Sequence, residues 1–186
     1  MHRLALAAAA LSVAACASTP APPAHPQDAF MAGLRGLCGN AYAGRMVTSD
    51  PADAAWVGQP LRVEVRCEGA VVRMPLALGA DRSRTWLVTR TAGGVRLKHD
   101  HRHADGSPDV LTNYGGDTVD VGTAERQAFP ADAESIALFR TRGNPASTAN
   151  VWSLEHRPDV LAYELRRPNR RFRVEFDLTR PERLAP

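Results

Sequence analysis

Three of the six histidines stand at alternate positions, His99, His101 and His103, separated by Asp100 and Arg102. In a strand, residues two apart share a face, so Val95, Leu97, His99, His101 and His103 form one set, and Arg96, Lys98, Asp100 and Arg102 the other. The charged set belongs in water. The imidazoles then continue an inward face that passes from apolar to polar, and polar groups taken out of water need partners. Imidazole is a ligand for zinc and other divalent ions. Neighbours in the row, about 6.6 Å apart, suit one ion, whereas His99 and His103, about 13 Å apart, do so only if the strand bends. The metal version is therefore a site at His99 and His101 completed by a residue such as Asp105, Asp109 or Tyr114. The alternatives are a pocket wall for an organic or anionic ligand, or a polar inner face with no specific partner. Spacing does not choose among the three.

Other motifs compete weakly. There is no Gly-x-Ser-x-Gly elbow, phosphate loop or dinucleotide fingerprint. Asp105-Gly106-Ser107-Pro108-Asp109 fails as a calcium loop, because placing Gly106 sixth puts His101 and His103 where oxygen ligands belong. Ser107 becomes a nucleophile only if it pairs with a neighbouring histidine. Arg166, Arg167, Arg170, Arg171 and Arg173 surround Pro168-Asn169, a basic hairpin tip that either touches anionic headgroups or peptidoglycan or is simply solvated. Trp86, Trp152, Tyr163 and the phenylalanines read as core rather than as a stacking platform. A metal-dependent hydrolase on the histidine row would need a third ligand and a general base. Inward carboxylates are scarce in the strand pattern, which favours binding over catalysis, and no residue is assigned as catalytic.

The row must be held by a β-rich scaffold. The chain has 186 residues, 44% hydrophobic and 23% charged, enough for one globular domain. The net charge is only +3 and Lys98 is the sole lysine, so the arginine richness is no argument for nucleic-acid binding. Phe30, Leu34, Leu37 and Cys38 form a helical stripe between Asp28, a candidate N-cap, and Gly39. Beyond Arg45 the period changes to two. Strands are expected over 61–67, 70–78, 84–91, 94–103, 109–114, 125–129, 134–140, 149–155, 160–166 and 171–178, with Pro75 marking an edge or a bulge. About eight to ten antiparallel strands after one short helix predict a mainly β fold, an antiparallel barrel in preference to a sandwich. The helix resembles the closing helix of lipocalin-like barrels, although no Gly-x-Trp marks the first strand.

Met1-His2-Arg3 followed by the apolar run Leu4–Ala15 is an export signal, too short to span a bilayer as a helix of about 20 residues. Val13-Ala14-Ala15-Cys16 resembles the lipobox of bacterial lipoproteins. That resemblance implies cleavage after residue 15, a diacylglycerol on the Cys16 sulfur, and usually a third acyl chain such as palmitate on the new amine. It implies a domain anchored to the membrane by lipid. Ala17 after the cysteine is similar to the outer-membrane sorting pattern, placing the domain in the periplasm. Residues 16–27 read as a lipidated cysteine and proline-rich tether, and 28–186 as a single domain. With Cys16 acylated, Cys38 and Cys67 remain, either bridged in an oxidising compartment or left as buried thiols.

Arg82-Ser83-Arg84-Thr85-Trp86, Leu97-Lys98-His99-Asp100-His101-Arg102-His103 and Tyr114-Gly115-Gly116-Asp117-Thr118 together resemble a family of uncharacterised proteobacterial secreted and lipoprotein-type proteins. The likeness covers most of the mature domain and implies no activity. The expectation is an anchored envelope protein that binds a small ligand, or a divalent metal such as zinc, in its barrel. A hydrolase using the same row is the alternative.

Overall fold

The computed structural model describes residues 24–185. The export segment 1–15, the lipidation site Cys16 and most of the tether lie outside the described residues. The helix α1, Pro26–Gly36, starts two residues before the expected domain boundary. Its cap is His25 rather than Asp28: the His25 Nδ1 accepts the Gln27 amide at 3.3 Å, and Pro26 occupies the first turn, where a missing N–H is harmless. Asp28 instead pairs with Arg90. The buried face is Gln27, Phe30, Met31 and Leu34.

Eleven strands follow: β1 Asn40–Met46, β2 Leu61–Glu68, β3 Val71–Leu78, β4 Asp81–Thr91, β5 Gly94–His101, β6 Tyr114–Asp117, β7 Arg126–Pro130, β8 Val151–His156, β9 Val160–Arg167, β10 Arg170–Asp177 and the two-residue β11 Glu182–Arg183. A second helix, α2, spans Ala133–Thr141. The order β6-β5-β4-β3-β2-β1-β10-β9-β8-β7 makes a nearly closed antiparallel ten-stranded barrel, with β11 pairing on β1. Within the barrel every ladder joins strands adjacent in sequence except β1 with β10. Inward residues such as Val63, Val65, Met74, Val88, Leu97, Leu154, Leu161, Val174 and Phe176 form one apolar core. The outward residues of β2, β5 and β10 are almost all charged, the reverse of a transmembrane barrel, whose outer face is apolar.

Three local readings are corrected, and one holds. The segment 134–140 is helix, because Asp132 caps it through the Ser135 amide at 2.8 Å and Glu134 sits in the first turn. Residues 109–113 make no strand, and Tyr114, expected to end one, instead begins β6. A strand at 40–46 was not anticipated. Of the two roles expected for Pro75, the structure shows the irregularity and not the edge: it lies on an inner strand, where the β2–β3 ladder skips it and the β3–β4 register shifts between Leu76 and Leu78.

The seam between β6 and β7 is closed by α2. The Asp132 amide donates to the Gly115 carbonyl at 3.0 Å, and the Ser135 hydroxyl accepts from the Gly115 amide at 2.8 Å and donates to the same carbonyl at 3.0 Å. Glycine is needed there: a Cβ on Gly116 would lie 1.8 Å from the Pro130 oxygen. Cys38 and Cys67 form a disulfide that ties the end of α1 to β2. The helix α1 covers one end of the barrel, where Arg35 donates to the Gly69 and Ala70 carbonyls of the β2–β3 turn and His156 bonds the Phe30 carbonyl. At the other end lies the 3-10 turn Pro51–Trp56, between β1 and β2.

Candidate functional site

The inward face of β5 ends on His99, which is buried. Its Nδ1 lies 3.1 Å from the Tyr114 carbonyl, an acceptor only, so Nδ1 carries the hydrogen. Nε2 is then the bare nitrogen, and it accepts the Tyr163 hydroxyl at 2.8 Å. The ring stacks on Tyr114 at 4.6 Å and leans on Trp152 at 5.1 Å. Burial pushes the imidazole down to about 3, against the opposing Tyr114 carbonyl bond, so it stays neutral at any physiological pH. Burial likewise pushes the Tyr163 phenol well above its usual value.

The other two histidines diverge from this environment. The strand ends at His101, whose Nε2 lies 3.0 Å from the Ser83 hydroxyl and whose ring is half-buried. His103 lies beyond the strand and is exposed, its Nδ1 3.9 Å from the Asp109 carboxylate. The inward row stops at His99 because β6 begins only at Tyr114, opposite it, and the chain between them turns through Asp105-Gly106. A metal at His99 would have to displace one of two good hydrogen bonds. Among the described residues no group of three or more His, Cys, Asp or Glu side chains is placed to hold an ion. The Ser107 hydroxyl donates to the Asp105 carboxylate rather than to a histidine ring.

His99 and Tyr163 instead form the polar floor of a cleft of about 190 Å3 at the barrel end beneath the 3-10 turn. Its walls are Trp56, Trp86, Tyr114 and Phe172, with Leu76, Leu165 and the stem of Arg84. Trp86 stacks on Tyr163 at 4.2 Å, and Trp56 meets the edge of Phe172 at 4.8 Å while the Arg84 guanidinium lies 5.4 Å above its ring. The aromatics assigned to the core from sequence thus do both jobs.

The charges around the cleft are matched. Arg84 pairs with Asp81. Burial would raise the Asp81 carboxyl, but the Ser83 hydroxyl and amide and the Arg84 guanidinium outweigh it and hold it at about 2. Arg170 makes a two-pronged pair with the buried Asp53, Nη1 to Oδ2 at 2.6 Å and Nη2 to Oδ1 at 2.5 Å, and reaches Asp50 at 3.1 Å. The Asp53 carboxylate, with Asp50, pushes Arg170 further above its usual range. This pair latches the 3-10 turn over the cleft.

Sequence reasoning missed Trp56 and Asp53, and did not bring Arg84, Arg170 and Phe172 together at this cleft. The arginines around Pro168-Asn169 are largely engaged within the molecule: Arg170 as above, Arg166 and Arg171 on Glu164, and Arg173 on Glu155 and Glu175. Glu155 and Glu164 are buried, yet they lie on the outer face of β8 and β9 beneath these guanidiniums, so they supply no inward carboxylate.

Comparison with family models, with curated proteins and with solved structures found no match to this chain.

Proposed function

We propose that this is a lipid-anchored envelope domain whose barrel takes a small, flat, uncharged organic molecule into the cleft beneath Trp56. The observation that carries the reading is the composition of that cleft. Four aromatic walls surround a polar floor, and every arginine at its edge is already matched by a carboxylate. An anion would compete with Asp81 or Asp53 for its cation, whereas a neutral ring needs no such exchange. The Tyr163 oxygen, having given its hydrogen to His99, retains lone pairs for one donor on the ligand. The volume is of the order of a cavity that admits a single aromatic ring, and below the range that holds drug-sized molecules.

Anchoring at Cys16 and an outer-membrane, periplasm-facing location rest on residues 1–17. The disulfide and the charged outer face of the strands support a folded domain outside the reducing cytoplasm and outside the hydrocarbon core. No helix among the described residues is long and apolar enough to cross a membrane. A divalent metal in place of the organic ligand has less support, because both ring nitrogens of His99 are already bonded.

The test is a set of one- and two-ring compounds, phenol, indole and naphthol among them, read by tryptophan emission and melting temperature. Binding in wild type that is lost in Trp56→Ala supports the reading. No shift with any of them, together with no small molecule in mass spectra of the native extract, removes it. Intact mass of the Cys16 peptide, and loss of membrane association in Cys16→Ser, test the anchor separately.

A further inference from the structure

We infer that the α1-covered end of the barrel docks on the bilayer surface through the valines of the β6–β7 loop, so that the cleft opens away from the membrane. The inference rests on the lipid anchor proposed above, and adds a second membrane contact made by the folded domain itself.

The loop between Asp117 and Arg126 displays two large apolar side chains in water, Val119 at 77% exposure and Val121 at 52%. These are not the tips of a slack segment. The buried Gln27 of α1 donates its amide to the Thr118 hydroxyl at 3.0 Å and the Asp120 carbonyl at 3.2 Å. From the other side, buried Gln127 donates to the Val121 and Thr123 carbonyls at 3.0 and 2.8 Å. Gly122, at φ 62°, packs on the Gln127 amide, where a Cβ would lie 2.6 Å from its nitrogen. Two internal amides therefore fix the backbone that holds both valines outward. Ordering apolar side chains toward water has no benefit to the fold itself, and rigidly presented apolar groups mark contact sites.

The occupant follows from where the chain enters. Gln27, which grips this loop, is the second residue of α1, and the tether from Cys16 ends there. Few residues separate Cys16 from Gln27 along the chain, so this end of the barrel is the one joined most directly to the lipid. A tethered contact works at high effective concentration, so two valines suffice where they would fail on a free domain. Asp120 lies between them, so the contact is apolar and not an attraction to anionic headgroups. The cleft lies at the opposite end, beneath the 3-10 turn.

The experiment uses the full lipidated chain reconstituted in phosphatidylcholine vesicles. Cys38 and Cys67 are bridged and Cys16 carries the lipid, so Val121→Cys, Val119→Cys and, at the far end, Val110→Cys each offer one thiol for an environment-sensitive dye. The expected result is blue-shifted emission at 119 and 121, quenched by nitroxide-labelled lipid and insensitive to salt, with the dye at 110 remaining aqueous. Emission at 119 and 121 as aqueous as at 110, in protein that floats with the vesicles, overturns the docking and leaves the anchor standing. Protein that does not float, with no lipid mass on Cys16, overturns both. Dye protection that needs no vesicles and grows with protein concentration assigns the patch to a second copy of the chain and also overturns the inference.

Discussion

The bare Nε2 of His99 accepts the Tyr163 hydroxyl at 2.8 Å, and this single bond joins β5 to β9 across the inside of the barrel. Neither partner has another route to satisfaction at that point, since His99 is buried and its other nitrogen is already used. Replacing Tyr163 by Phe keeps the stack on Trp86 but orphans the imidazole. The expected loss is about 1–3 kcal/mol in unfolding free energy. An unchanged urea midpoint in Tyr163→Phe would show that the bond is not formed in solution.

Stability falls with acid in a window set by histidine. Below about pH 6.5 the unfolded imidazole takes up a proton that folded His99, held at about 3, refuses. Each such group removes up to about 1.4 kcal/mol per pH unit as the pH falls. His156, lowered by its burial despite the bond to the Phe30 carbonyl, acts in the same direction. The depressed carboxylates, such as Asp81, lose their stabilisation only below about pH 4, as the pH falls through the unfolded and then the folded value. Urea unfolding at pH 7.5, 6 and 5 should therefore show a decline in wild type that is clearly shallower in His99→Gln. Parallel declines would contradict the buried, neutral imidazole.

Breaking the latch over the cleft should be more costly than its surface position suggests. Arg170→Met strands the Asp53 carboxylate, only 4% of whose side chain is exposed, at a cost of about 3–5 kcal/mol. The damage should be local first, with faster amide exchange over 50–57 and red-shifted Trp56 emission. Adding Asp53→Leu should restore much of the stability without restoring Asp50 to its partner. If the double variant is as unstable as the single, the stranded charge is not the cause.

At the seam, Gly116→Ala and Ser135→Ala should differ in kind. The serine change removes hydrogen bonds to Gly115 and is expected to cost about 1–3 kcal/mol with cooperative unfolding retained. The alanine Cβ at 116 meets a backbone carbonyl that cannot rotate away, so the two strands must part, with a loss above about 4 kcal/mol or no folded protein. Thermal melts of the two variants side by side decide it.

The hairpins β2–β3, β4–β5 and β9–β10 were legible because one-sided burial leaves a strict alternation, as in Phe172, Val174 and Phe176. The Cys38–Cys67 bridge is one of the two states expected for the thiols that remain when Cys16 is set aside as acylated. By contrast, Ile136 and Leu138 in α2 also alternate, and only the cap at Asp132 separates helix from strand over so short a run. The strand at Gly115 and Gly116 was not legible, because the reason for these glycines is the Leu97 and Pro130 backbones lying against them, which no local pattern records. His99 was found through its face. The cleft above it was not, because Trp56, Arg84 and Arg170 meet there only through the closure of β1 on β10.

That closure divides the molecule into two half-shells. One meander runs from β1 to β6 and the other from β7 to β10, and they are zipped by Gly44 to Phe176, Arg45 to Glu175 and Met46 to Val174, pairs from opposite ends of the chain. Each half can assemble from neighbouring hairpins, but the zip requires strands from near the two ends of the chain to meet, and such encounters are slow. Trp86, His99 and Tyr114 belong to the first half-shell, Tyr163 and Phe172 to the second. The cleft therefore does not exist until both halves have met, and its Trp86–Tyr163 stack is a built-in spectroscopic clock for that final step.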